Sequence, residues 1–315
     1  MKLSLVVPCY NEAENVAAFY DAVNTTFADC EYDYEVIFVD DGSKDTTAFQ
    51  LKKLFEMQTC PTKVICLSRN FGKESAMYAG ISHAEGDYIS LIDADLQQHP
   101  DTVREMVEIL EKDSQYDVVA AYQDRRNEGK ILSLFKKTFY KLINGLSNVD
   151  VRSDASDFRT FRHSVAESIL ALGETHRFSK GIFAWVGYQT CFIPYVAGER
   201  LAGTTKWSFR KLTNYAIEGI TGFSTKPLRI ATALGGLTAI AAIIYMIVII
   251  IQKLAVGIDV PGYASIIVLI LALGSMQLFC IGLIGEYVGR IFEQSKNRPI
   301  YLAREVLEYN KKEDA

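Results

Sequence analysis

Two uncharged runs near the C-terminal end constrain this chain more than anything else in it. Ile230–Ile251 is 22 residues without a charge, and Tyr263–Gly285 is 23. Each exceeds the roughly 20 residues an α-helix needs to cross the hydrocarbon core of a bilayer. The turn between them carries Asp259, Pro261 and Gly262. The pair predicts a transmembrane hairpin rather than two core helices of a soluble domain. Basic residues flank it: Lys206, Arg210, Lys211, Lys226 and Arg229 before the first run, and Arg290, Lys296, Arg298 and Arg304 after the second. The turn has only Lys253. Basic flanks stay on the cytoplasmic side, so the expected location is a cell (inner or plasma) membrane, multi-pass, with both termini and the N-terminal region cytoplasmic.

Composition excludes some classes. Of 315 residues, 49% are hydrophobic and 23% charged, with a net charge of −5, so no basic surface for nucleic acid is expected. Six cysteines show no Cys-x-x-Cys pair and no metal-ligand spacing, and read as buried, reduced thiols of a cytosol-facing protein. There is no signal-peptide pattern at the N-terminus, where Leu3–Val7 is too short for one.

The first 205 residues alternate short apolar runs with helical patterns. Leu3–Pro8, Glu35–Asp40, Lys63–Leu67, Tyr88–Asp93 and Asp117–Ala121 predict strands, apolar on both faces as in a parallel sheet covered by helices. Between them, Asn15–Phe27, Thr46–Met57, Glu74–Ala84 and Asp101–Glu111 predict helices. The fold class is α/β, a Rossmann-like, mostly parallel sheet followed by the two-helix hairpin. The expected division is a catalytic domain at 1–205, a juxtamembrane amphipathic segment at 206–229, two transmembrane helices at 230–285 and a cytoplasmic tail at 286–315. The juxtamembrane segment interleaves Trp207, Phe209 and Tyr215 with Arg210 and Lys211. It suits either the headgroup plane or a helix packed on the domain.

Ligands of such sheets bind beyond the carboxyl ends of the strands. Those ends read Pro8-Cys9-Tyr10-Asn11-Glu12, Asp40-Asp41-Gly42-Ser43, Ser68-Arg69-Asn70-Phe71-Gly72 and Asp93-Ala94-Asp95-Leu96-Gln97. Asp40, Asp41, Asp93 and Asp95, converging on one edge, repel one another unless a cation or donors offset them. Asp93 and Asp95, two residues apart, would point the same way in extended backbone and suit a hard divalent cation such as Mg²⁺ or Mn²⁺. No Gly-x-Gly-x-x-Gly follows the first strand and there is no P-loop, which speaks against dinucleotide oxidoreductases and P-loop NTPases.

The stretches VVPCYNEAEN, VIFVDDGSKD, LSRNFGKESAM, AGISHAEGDYISLIDADLQ and SDFRTF resemble the GT-A glycosyltransferases of family 2. With RLAGTTKWSFRKL and the hairpin, nearly the whole chain resembles the polyprenyl-phosphate subgroup, which is dolichol-phosphate-mannose synthase-like or GtrB-like. The resemblance implies that Pro8, Tyr10, Glu12 and Asp40 line the base and ribose site. It places Asp93, Asp95 and Gln97 at the sugar diphosphate and metal, Asp157 at the acceptor side, and Arg200 and Lys206 on a loop over the phosphates. Asp157 and Asp95 are the implied catalytic residues. The implied reaction moves a hexose from a nucleotide-sugar, UDP-glucose first, to a polyprenyl phosphate such as undecaprenyl phosphate. It is metal-dependent and inverts the anomeric carbon. UDP-N-acetylhexosamine or GDP-mannose as donor, and a processive polysaccharide synthase, are the alternatives. The synthase's Gln-x-x-Arg-Trp motif is absent. A membrane scaffold without activity would not need these charged residues together. Gly235, Gly236, Gly274 and Gly282 would let helices pack closely in a homo-oligomer.

Overall fold

The computed structural model describes residues 1–57, 59–123, 145, 152, 155–198, 221–222, 224–256 and 262–308. Eight strands form one sheet in the order β7-β5-β6-β4-β1-β2-β3-β8. They are β1 (Lys2–Cys9), β2 (Asp33–Asp40), β3 (Thr62–Leu67), β4 (Tyr88–Leu91), β5 (Val118–Gln123), β6 (Ala155–Arg162), β7 (Thr190–Tyr195) and β8 (Ala303–Leu307).

β1 to β4 are parallel, as the apolar runs predict. The alternation of side chains across a strand divides their residues between two cores. Leu3, Leu5 and Val7 of β1 face helices α1 (Val16–Phe27), α2 (Thr47–Met57) and α4 (Pro100–Lys112). Val6 faces α3 (Lys73–Ser82), α5 (His163–Leu170) and α6 (Ser179–Trp185). The strands are covered on both sides, which is why they read as unbroken Val, Ile and Leu. α3 lies hard against β1: a Cβ on its Gly80 would sit 2.2 Å from Val6 Cγ1. That approach brings the N-terminus of α3 to the carboxyl edge of the sheet.

Three strands fall outside the predicted set. β6 inserts between β4 and β5, antiparallel to both. β5 pairs with β7 in parallel. β8 pairs antiparallel with β3, with Ile65 opposite Val306.

The apolar runs are two helices, α7 (Lys226–Val256, 31 residues) and α8 (Tyr263–Ser295, 33 residues). At 1.5 Å per residue they are about 46 and 50 Å long, more than the roughly 30 Å of a bilayer core. Their apolar side chains turn outward, Leu237 at 68% and Leu278 at 72% exposure, a surface suited to lipid. The far end of α8 is fixed to the sheet domain. Gln294 Nε2 donates to the Gly173 carbonyl at 2.8 Å and its Oε1 accepts from Thr175 N at 2.9 Å. His176 lies 2.5 Å from Glu293. A turn at Asn297 (φ 47°) then leads into β8. Segment 286–315, expected as a tail, therefore holds the end of α8 and an edge strand. The six cysteines are free, with Cys9, Cys60 and Cys66 buried.

Candidate active site

The register of the parallel strands aligns their ends: Cys9 lies opposite Asp40, and Val6 opposite Leu91. The loops leaving β1 and β2 are stitched together. Asn11 N donates to Ser43 Oγ at 2.9 Å, its Oδ1 accepts from Lys44 N at 2.9 Å, and Glu12 N donates to Thr47 Oγ1 at 2.9 Å. Asn11 takes φ 55° to do so, a left-handed conformation that asparagine tolerates better than most residues.

Asp40 and Asp41 divide their work. Asp40 is buried and accepts from Ser43 N at 3.2 Å. Asp41 accepts from the backbone N–H groups of Phe71 (2.7 Å) and Gly72 (2.9 Å), tying the β2 end to the β3–α3 loop. Burial raises its pKa, and those two donors oppose the rise. Gly42 makes the tie possible: at φ +63°, a Cβ there would meet Arg69 C at 2.4 Å.

The loop delivers Lys73, the first residue of α3. Its Nζ lies 2.6 Å from Asp93 Oδ1 and 3.9 Å from Asp157 Oδ2. Burial works against the ammonium, yet Asp93 and Asp157 hold its pKa above the ordinary lysine value. Next to it, Glu74 accepts from Ser179 N and Ser179 Oγ at the start of α6. Burial foremost, then the Asp157 charge, raises the Glu74 pKa.

After β4 the chain turns instead of continuing extended. Gln98 Oε1 accepts from Asp93 N at 2.9 Å, and its Nε2 reaches Asp93 Oδ2 at 3.4 Å. Asp95 Oδ1 accepts from Gln97 N at 3.2 Å. Leu96 between them has φ 57°, uncommon for a side chain of its size and a mark of stored strain. Gly198 N donates to the Gln97 carbonyl at 3.1 Å, and a Cβ at 198 would lie 2.9 Å from Leu96 O. The chain that follows β7 thus rests on the Asp-x-Asp turn.

These ends surround a cleft of about 370 Å³ lined by Pro8, Tyr10, Glu12, Asp41, Lys73 and Asp95, with Asp93 beside Lys73. Pro8, Tyr10, Glu12, Asp93 and Asp95, all named from the sequence, line this one cleft. Asp40 sits beneath the surface. Gln97 contributes its backbone to the turn, and Gln98, one residue on, clamps Asp93. Asp157 joins through Lys73. Arg200 and Lys206 lie outside the described residues. Asp41 stands among the strand-end carboxylates of the sequence without an expected role, and Lys73 and Gln98, which are not carboxylates, are not singled out there. The signal for Lys73 was available: a cation in the first turn of a helix opposes the helix dipole and calls for a partner. Burial pushes Asp157 up, but Lys73, Lys180 and Arg159 outweigh it and lower its pKa.

As for a metal, no group of three or more His, Cys, Asp or Glu among the described residues is placed to hold one. Asp93 is engaged by Lys73 and Gln98. Asp95 fits the Mg²⁺ type of site, where one or two carboxylates share the ion with substrate phosphates.

A Rossmann-like sheet with acidic strand ends around one cleft, followed in the chain by two long apolar helices, is the architecture of a membrane-associated transferase of the GT-A class. Residues 4–170 match glycosyl transferase family 2, and residues 226–291 match the GtrB C-terminal hairpin. The chain belongs to that glycosyltransferase family. It is 40% identical over 304 residues to the putative glycosyltransferase CsbB of Bacillus subtilis (96% of this chain, 91% of the relative). It is also 40% identical over 304 residues to the bactoprenol glucosyl transferase of Shigella phage SfV (96% of this chain, 98% of the relative). A looser likeness is to the crystal structure of glucosyl-3-phosphoglycerate synthase from Mycobacterium tuberculosis. Its TM-score is 0.49 and its identity 18%, over 70% of this chain and 77% of that one. That likeness is too distant to transfer any contact.

Proposed function

We propose that this enzyme transfers a hexose, glucose first, from a UDP-sugar to a polyprenyl phosphate of the undecaprenyl type. The reaction takes place at the cytoplasmic face of a cell membrane that the hairpin crosses twice. The similarity to a bactoprenol glucosyl transferase along nearly the whole of both chains, hairpin included, carries this reading. The cleft supports it from the chemical side. The cleft of about 370 Å³ would offer a nucleoside diphosphate Tyr10, Glu12 and Asp41 for its base and sugar hydroxyls and Lys73 for its phosphates.

An acceptor phosphate oxygen attacks the anomeric carbon as the bond from that carbon to the diphosphate oxygen breaks. The electron pair leaves with the nucleoside diphosphate, and in-line attack inverts the carbon. Asp95 would hold Mg²⁺ or Mn²⁺, which when bound supplies positive charge to the departing diphosphate. Lys73 adds a fixed cation between Asp93 and Asp157. Preorganised charge of this kind stabilises charge that grows in the transition state. Arg200 and Lys206 are assigned to the same diphosphate. Asp157 orients an acceptor whose second pKa is about 6 and which is mostly dianionic at neutral pH.

The test is a panel of UDP-glucose, UDP-N-acetylhexosamine and GDP-mannose with undecaprenyl phosphate and Mg²⁺ or Mn²⁺. Transfer from UDP-glucose to the lipid is expected. Absence of any lipid-linked sugar across the panel would overturn the reading.

A further inference from the structure

Lys73 is bracketed by two carboxylates. Before it, Asp41 accepts from Phe71 N at 2.7 Å and Gly72 N at 2.9 Å. After it, Glu74 accepts from Ser179 N, at 3.1 Å to Oε1 and 3.0 Å to Oε2, and from Ser179 Oγ. The first clamp ties the loop to β2. The second ties the first turn of α3 to the first turn of α6, 105 residues further along the chain.

The grip on Ser179 answers a need of α6. Ser179 opens that helix, and the first N–H groups of a helix have no partner within it. The preceding residue, Phe178, has no side-chain acceptor to offer, so α3 supplies the cap. One turn on, Tyr78 adds a second hold from the same face of α3. Its hydroxyl donates to the Leu170 carbonyl at 3.1 Å. The Arg177 guanidinium lies 4.5 Å from the Tyr78 ring centroid and donates to the Leu172 carbonyl at 2.7 Å. One face of α3 thus carries the connector between α5 and α6. The same connector seats the end of α8 through Gly173, Thr175 and His176.

An acidic residue in the first turn suits the dipole of α3 itself, but an exposed carboxylate would serve that purpose. Glu74 instead borders a small cavity, of about 10 Å³, whose wall includes Met77, Ile81, Ile182 and Phe183. Burial and the Asp157 charge both work against its ionised form. A carboxylate kept in such a place is explained by what it holds.

We propose that Glu74 is a positioning residue for the transfer. By holding Ser179 it fixes the first turn of α3, and with it the place of the Lys73 ammonium against Asp93 and the donor diphosphate. It acts through Lys73. The inference rests on the proposed reaction and deepens it at the same cleft.

The experiment uses the full chain in nanodiscs as parent, Glu74→Met, Glu74→Gln, Lys73→Met, and Glu74→Met combined with Lys73→Met, each checked for folding by thermal unfolding. Two quantities are read: kcat for transfer, and the binding of UDP and of GDP with Mg²⁺, which needs no turnover. Glu74→Met is expected to lower kcat about tenfold to a hundredfold and to weaken nucleotide binding. Glu74→Gln keeps an acceptor for Ser179 and should recover most of both. In the Lys73→Met background, Glu74→Met should add less than about threefold, because residues that act through one another are not additive. If Glu74→Met does not fold, Ser179→Ala takes its place in the cycle with the same expectation. An equal loss with and without Lys73 would make Glu74 a general support of the fold and overturn the proposal. So would unchanged kcat and nucleotide binding in Glu74→Met, or a folded Glu74→Gln as impaired as Glu74→Met. Non-additive losses of nucleotide binding in a protein that transfers no sugar to lipid would keep the positioning role and remove the lipid reaction. A parent that neither binds a nucleotide nor transfers sugar would remove both.

Discussion

Lys73 Nζ lies 2.6 Å from Asp93 Oδ1, so the first carboxylate of the Asp-x-Asp pair is neutralised by a lysine of the protein itself. The two form one unit with Asp157 at its edge. Lys73→Met should lower kcat by about 10²–10³ while the fold is kept, a loss typical of removing one preorganised charge. Lys73→Arg should recover part of it. Asp93→Asn should behave much like Lys73→Met, and the double variant should be little worse than either single one, since coupled residues are not additive. Rates for the four proteins check this. Fully additive losses would mean that the pair does not act together.

Asp95 carries the metal expectation alone on the protein side. Excess chelator should abolish transfer, and Mn²⁺ or Mg²⁺ should restore it. Asp95→Asn should raise the metal concentration needed for half activity and leave the melting temperature near that of the parent. Full activity in chelator would remove the metal from the scheme.

Asp157 tests the acceptor chemistry. Its depressed pKa keeps it ionised well below the acceptor's own titration near pH 6. Any stability drawn from its ion pairs is complete above the ordinary carboxylate range and is lost only as pH falls through the lowered value. If the carboxylate orients the phosphate, Asp157→Asn should keep part of the rate, with the largest deficit below about pH 6, where the acceptor carries its extra proton. Donor affinity should hardly move. A variant equally dead from pH 6 to pH 9 with normal donor affinity would make Asp157 an obligatory base.

Gly42 controls the site from a distance. A methyl group there meets the backbone of Arg69 and Asn70 at 2.4 and 2.6 Å, and φ +63° is costly for alanine. Gly42→Ala should destabilise the protein by about 1–3 kcal/mol. It should also raise the donor KM, because the displaced loop carries Lys73. Gly72→Ala, with open space around its Cβ position, should carry only the strain of φ 101° and cost less. Thermal unfolding and donor kinetics of the two variants make the comparison.

The proposed topology is tested by labelling. A cysteine at position 259 should react with an impermeant reagent added from outside the cell, and one at position 298 should react only after permeabilisation. The reverse pattern would move the proposed catalysis to the other face.

What the sequence disclosed follows from burial. β1 to β4 are covered on both faces, so their apolar runs leave little ambiguity. β6 hides because Arg159, Thr160 and Arg162 interrupt its pattern. They are satisfied inside, Arg159 on Phe183, Thr160 Oγ1 on Ser90 Oγ at 3.1 Å, and Arg162 on the Leu110 carbonyl. β8 is an edge strand, half exposed, and carries no apolar alternation strong enough to see. The strand ends were legible as a group, because acidic residues after buried strands have few structural uses. The division of labour within them was not. Extended backbone was assumed through Asp95, but the chain turns at Leu96, and the turn puts the Gln98 side chain on Asp93, a contact the sequence does not announce.

The strand β8 gives the order of synthesis a structural meaning. β3 acquires its outer partner only when residues 303–307 have been made, after both apolar helices. Until then the edge beside Cys66 and Leu67 is open, and an open edge is a place for wrong pairing. A chain stalled before α8 would hold most of a catalytic sheet but lack its border. The outer neighbour of β3 is therefore a segment that arrives only once the two apolar helices exist, and premature termination between β7 and β8 leaves β3 without it.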